Sequence, residues 1–186
     1  MNGIIKVDPI IIHPFCLRLG EAQDCFNCEL HRDKKCDSSR SMCVREYPNH
    51  KKGCPNYGKK EGCPPGAPMF DEVYDLSKPV YAIYNVFDFK GHVERMRDKH
   101  PDWSKRQLEC CLYWQGTARK KLKTKIKIFH GSMLGLAGKV YIIATIPEAM
   151  GVNVTETMRK VGITLEWPPV NVAYQIAFAG TRKEIK

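Results

Sequence analysis

Hydrophobic and polar residues follow two regimes along this chain, and the change comes near residue 69. Beyond it, three stretches read as strands. "KPVYAIYNVFDF" (78–89) is β-branched and aromatic, "KVYIIATIP" (139–147) is a short apolar run of the kind buried in a sheet, and "VNVAYQIAFAG" (170–180) alternates. "KGHVERMRDKH" (90–100) reads as a short helix stopped by Pro101. In 101–129, Leu108, Cys111, Leu112, Gln115, Ala118, Leu122, Ile126 and Phe129 fall at helical spacing, with Asp102 or Ser104 as cap and Gly116 as a weak point. "HGSMLGLAG" (130–138) reads as a glycine-containing loop, and "NVTETMRKVG" (153–162) as a short helix capped at Asn153 or Thr155 and ended by Gly162. The order β-α-α-β-α-β predicts an α+β fold, a small mixed sheet covered by helices.

Residues 1–68 lack such periodicity. Pro, Gly, Asn, Asp and Ser interrupt them throughout, so they read as a cysteine-rich, loop-dominated module ahead of an α+β domain over 69–186, the two forming one compact unit. The opening "MNGIIKVDPIIIHPF" is broken by Asp8 and Pro9 and has no small-residue cleavage site, which argues against a secretory signal. No run approaches the roughly 18 apolar residues of a membrane helix. The expectation is a cytoplasmic protein with no membrane partner.

Cysteine changes the picture most. Of nine cysteines, seven lie in the first 63 residues (Cys16, Cys25, Cys28, Cys36, Cys43, Cys54, Cys63), and Cys110 and Cys111 are adjacent. In a reducing compartment such clustering reads as metal ligation or redox chemistry before disulfides. Only Cys25–Cys28 has short chelating spacing, so a zinc ribbon with two such pairs is not encoded. Cys63 is followed by Pro64 and Pro65, a common ending of iron–sulfur loops, where proline turns the chain away and brings no competing amide. "CPNYGKKEGCPPGAP" (54–68) has too few apolar side chains to hold itself by burial. Metal–thiolate bonds would fix it. The candidate ligands are Cys25, Cys28, Cys36, Cys43, Cys54 and Cys63, with Cys16, Cys110 or Cys111 completing a set. Cys111 lies on the apolar stripe and reads as a packed thiol; Cys110 falls on the flank with Tyr113 and Trp114. The expected cofactor is an iron–sulfur cluster, [4Fe–4S] in type, with zinc as the alternative.

Charge adds a second candidate surface. The formal net charge is +10, and residues 110–186 carry 12 basic against 4 acidic groups. No acid occurs between Glu109 and Glu148, while Arg119, Lys120, Lys121, Lys123, Lys125 and Lys127 crowd one helix and Lys139 follows. Lysines on a helix face are ordinarily just solvated, but an acid-free run of this length suits an anion, either nucleic acid or an acidic protein docking on 119–139. Trp114, Tyr113 and Phe129 stand near enough to stack on bases. "HGSMLGLAGKV" fails as a phosphate loop, since no Ser or Thr follows Lys139.

Two stretches together carry a likeness. "GCPNYGKKEGCPPGAP" (53–68) and "IPEAMGVNVTETMRKVG" (146–162) resemble a family of uncharacterised prokaryotic proteins taken to bind metal, known by a Cys-Pro-x-Tyr-Gly-Lys loop that ends in Cys-Pro-Pro. Cys54, Tyr57, Gly58, Cys63, Pro64 and Pro65 stand at matching positions, with Cys43 as an upstream partner. The resemblance implies metal binding and no particular reaction. The chain departs from the family in having no cysteine in "HGSMLGLAGKVYIIAT", whereas Cys16, Cys25, Cys28 and Cys36 lie at the other end.

Seven N-terminal cysteines divide as four plus three, and a cluster held by three thiolates leaves one iron open to substrate. The expected function is therefore iron–sulfur binding with redox or sulfur-transfer chemistry. The alternatives are a zinc-stabilised module that binds RNA or DNA, and an electron carrier or subunit docking an acidic partner. No paired carboxylates or Ser-His-Asp set can be assigned, so no catalytic residue is named.

Overall fold

A computed structural model describes residues 3–11, 43–44, 51–137 and 140–184. Four strands form one sheet: β1 (Gly3–Val7), β2 (Val80–Asp88), β3 (Ile142–Ala144) and β4 (Val172–Gly180), in the order β1-β2-β4-β3. Every pairing is antiparallel, with Ile5 opposite Ala82, Asn85 opposite Gln175 and Ile143 opposite Ala179. The helices are α1 (Phe70–Val73), α2 (Phe89–Lys99), α3 (Lys105–Leu108), α4 (Gln115–Ala137) and α5 (Val154–Lys160). The α+β class is what the chain forms; the sheet, expected to be mixed, is antiparallel throughout.

The period of two in β2 and β4 sends alternate residues to opposite faces. On one face Val80, Ala82 and Phe178 pack with Phe70, Tyr74, Val152, Val154 and Met158. On the other, Ile83, Ala177 and Ala179 pack against Leu122 and Phe129 of α4. The alanines of β4 let the long helix lie close to the sheet. Next to this second face, Phe87, Ala173 and Ala118 enclose Trp114.

β1 comes from the stretch expected to be loop. It is a five-residue edge strand, and only Val7 of it is buried. The chain then runs to α5, where Thr157 Oγ1 accepts the Ile10 N–H (3.0 Å) and the Asn153 N–H donates to the Ile10 carbonyl (2.8 Å). Asn153 also caps α5, its side chain accepting the Glu156 N–H, and Gly162 follows the helix with φ +79°.

The helix expected over 101–129 is broken. α3 is capped by Ser104 in a reciprocal box with Gln107, a short 3₁₀ turn covers Cys111–Tyr113, and α4 starts at Gln115. Both Leu108 and Trp114 are buried. Six residues apart on a continuous helix they would point about 120° apart, and the break between α3 and α4 lets both reach the core. Trp114 stacks on Phe87 (5.3 Å, 21°) and meets Phe89 edge-on (5.5 Å, 75°). In return Leu112 is turned out, 83% exposed. The expected glycine loop at 130–138 is instead helix as far as Ala137. Met133 packs against the α4 face of the core, and a Cβ at Gly131 would meet nothing within 4 Å.

Candidate metal centre

The loop at 51–68 is held by backbone rather than by a core of its own. Gly53 is buried with φ +78°, and a Cβ there would lie 2.6 Å from the Cys43 carbonyl oxygen and 2.9 Å from Val44 backbone atoms. Only glycine allows this approach. It seats the 43–44 segment directly on the loop, and the Cys54 N–H donates to the Cys43 carbonyl at 2.7 Å. Two cysteines eleven positions apart in the chain are thereby made neighbours.

Cys63 is tied to the same loop by successive turns. Tyr57 N–H donates to the Cys54 carbonyl (3.1 Å), Gly58 N–H to the Pro64 carbonyl (2.9 Å), and Cys63 N–H to the Lys60 carbonyl (3.0 Å). Gly58 and Gly62 supply further left-handed positions, at φ +65° and +77°. Pro64 is buried, and Ala67 N–H donates to the Cys63 carbonyl (3.1 Å) just before Met69 and Phe70 enter the core. Cys43, Cys54 and Cys63 are all half-buried. Thiols kept for packing are usually sunk in apolar surroundings; these sit at the edge of a polar loop.

Among the described residues, no three His, Cys, Asp or Glu side chains come together as a set able to hold a metal ion. Cys16, Cys25, Cys28 and Cys36 lie outside the described residues. The fit to a metal is therefore one of donor type and loop architecture, with two cysteines made adjacent and a third joined to them by hydrogen-bonded turns. Cys110 is half-buried and Cys111 exposed. Cys111 was expected to pack in the core with Trp114 on the flank; the rewinding before α4 inverts this. Among the described histidines, His92 is buried beside Phe87, His100 stacks on Trp103, and His130 is exposed on α4.

The basic helix divides. Ala118, Leu122 and Phe129 of α4 face the sheet, while Arg119, Lys120, Lys121, Lys123 and Lys127 are exposed. Lys125 is half-buried, and its Nζ donates to the Tyr84 carbonyl at 3.0 Å. Burial, and then the nearby Lys121, lower its pKa. Lys139 lies outside the described residues. Of the aromatic rings expected to stack on bases, Trp114 and Phe129 are core, and Tyr113 alone is outward, 50% exposed. Sequence reading missed Trp103, which stacks on His100 (4.0 Å, 7°) and meets Tyr113 at 5.0 Å.

Residues 43–134 match the model of a family described as Predicted metal-binding protein (DUF2284). The match begins at Cys43 and spans Cys54, Cys63, Cys110, Cys111 and most of α4, whereas the second stretch noted from sequence, 146–162, lies beyond it. Metal binding is the property that this similarity supports. No curated protein and no solved structure matches the chain. Among the described residues, no helix is long and apolar enough to cross a membrane.

Proposed function

We propose that the chain is a metal–thiolate protein whose bound group is an iron–sulfur cluster, with Cys43, Cys54 and Cys63 among the ligands. The observation that carries the reading is the Gly53 cradle. A backbone contact that only glycine permits brings Cys43 onto the Cys54 loop. The loop buries little, so ligand bonds are the natural source of its rigidity. Cys16, Cys25, Cys28 and Cys36 supply the remaining thiolates. The Cys63-Pro64-Pro65 ending and the lack of a second short chelating pair favour a cluster over zinc.

Such a cluster supplies one-electron redox chemistry, and one iron without a protein thiolate would be open to substrate. The chain's part is to hold thiolates at fixed positions and to keep the loop from collapsing over them. The test is a series of single Cys→Ser variants with iron and sulfide counted per chain. Substitution of Cys43, Cys54 or Cys63 is expected to abolish or halve both counts. Full iron and sulfide in all three variants would remove these residues from the ligand set. Cys110→Ser and Cys111→Ser report whether either completes it.

A further inference from the structure

Five cations are exposed on one helix that carries no acid of its own. Among the described residues the ion pairs lie elsewhere: Arg95 with Asp88, Lys105 with Glu109, and Arg159 with Glu156. On α4, Lys120, Lys123 and Lys127 follow at i, i+3 and i+7, along the side away from Ala118, Leu122 and Phe129. Like charges at these spacings repel. The first turn of α4 also has no acid to complement the helix dipole. This arrangement weakens the free helix and suits it to an anion.

A second observation indicates which anion. His100, Trp103 and Tyr113 form an aromatic ladder, and Tyr113 ends two residues before α4 begins. Tyr113 is half exposed and Leu112 beside it is almost wholly so. A row of cations for phosphates running on from stacked rings for bases is how single strands are held without sequence preference. An acidic protein would use the cations and have no need of the rings.

We propose that the Trp103–Tyr113 ladder and the Lys120–Lys123–Lys127 face together bind a single-stranded polynucleotide. The reading is independent of the metal. The experiment uses the full chain, purified without oxygen, and a fluorescein-labelled oligouridylate of roughly 12 nucleotides at several salt concentrations. With three phosphates neutralised, the log–log salt slope is expected near about −2. Replacing Lys120, Lys123 and Lys127 together by Gln should weaken binding at least about tenfold and flatten the slope. Trp103→Ala, and separately Tyr113→Ala in case the first disturbs folding, should each weaken it about tenfold and leave the slope unchanged. Metal content should be the same in all variants.

Absence of binding at low salt overturns the proposal. So does polyglutamate displacing the oligonucleotide at equal charge while the Trp103→Ala and Tyr113→Ala variants bind like the parent. That result would instead make the face a dock for an acidic protein.

Discussion

The Cys54 amide donates to the Cys43 carbonyl across a contact in which Gly53 leaves no room for a side chain. This makes Gly53 a positional requirement of the loop. Gly53→Ala adds backbone overlap to the cost of a left-handed alanine, about 1–2 kcal/mol by itself. Gly58→Ala and Gly62→Ala carry the left-handed cost alone, because a Cβ at either would meet nothing within 4 Å. Gly53→Ala should therefore lose bound metal while the other two keep it, read as metal per chain after gel filtration.

Phe129 is fully buried between Tyr81 (5.6 Å) and Tyr141 (5.4 Å). It anchors α4 to the sheet. Phe129→Ala should cost about 3–5 kcal/mol in urea unfolding. Leu134→Ala, on the same helix but 60% exposed, should stay within about 0.5 kcal/mol of the parent.

Thr157 is fully buried and makes two bonds, accepting from the Ile10 N–H and donating to the Asn153 carbonyl at 2.7 Å. Thr157→Val keeps the shape and leaves the Ile10 N–H without its acceptor. The expected loss is about 1–3 kcal/mol. The sharper reading is hydrogen exchange, which should quicken at Ile10 before it does in β2.

Glu166 gathers the loop before β4. Its carboxylate accepts from the N–H groups of Asn171 (2.7 Å), Val170 (2.9 Å) and Val172 (3.2 Å), and from the Asn171 side chain. The Asn171 amide first, then the others, hold its pKa down to about 2 from an ordinary 4.5. The folded value lies below the unfolded one. The stabilisation is thus fully present above about pH 4.5 and lost as pH falls towards 2. Glu166→Gln should melt below the parent at pH 6, and the gap should close progressively below pH 4.5.

Much of the framework could be read from sequence because its signals are local. β2 and β4 alternate, and Asn153, Ser104 and Gly162 end or begin helices by their own chemistry. β1 was missed because Asp8 and Pro9 follow it at once, and its reason to be a strand is the β2 edge it meets. The break between α3 and α4 was missed because the apolar stripe continues through Cys111 and Leu112. Burying Trp114 against Phe87 outweighs that stripe, and nothing in the spacing reveals it. In the site, the cysteines announced themselves by number. Gly53 did not, because its need for φ +78° arises from a segment ten residues away in the chain.

The most direct test of the metal–thiolate account is an absorption spectrum of protein purified without oxygen, with iron, sulfide and zinc measured on the same sample. The account predicts a brown protein with a broad band near about 400 nm and iron matched by sulfide. A colourless protein carrying zinc, or no metal at all, would contradict it.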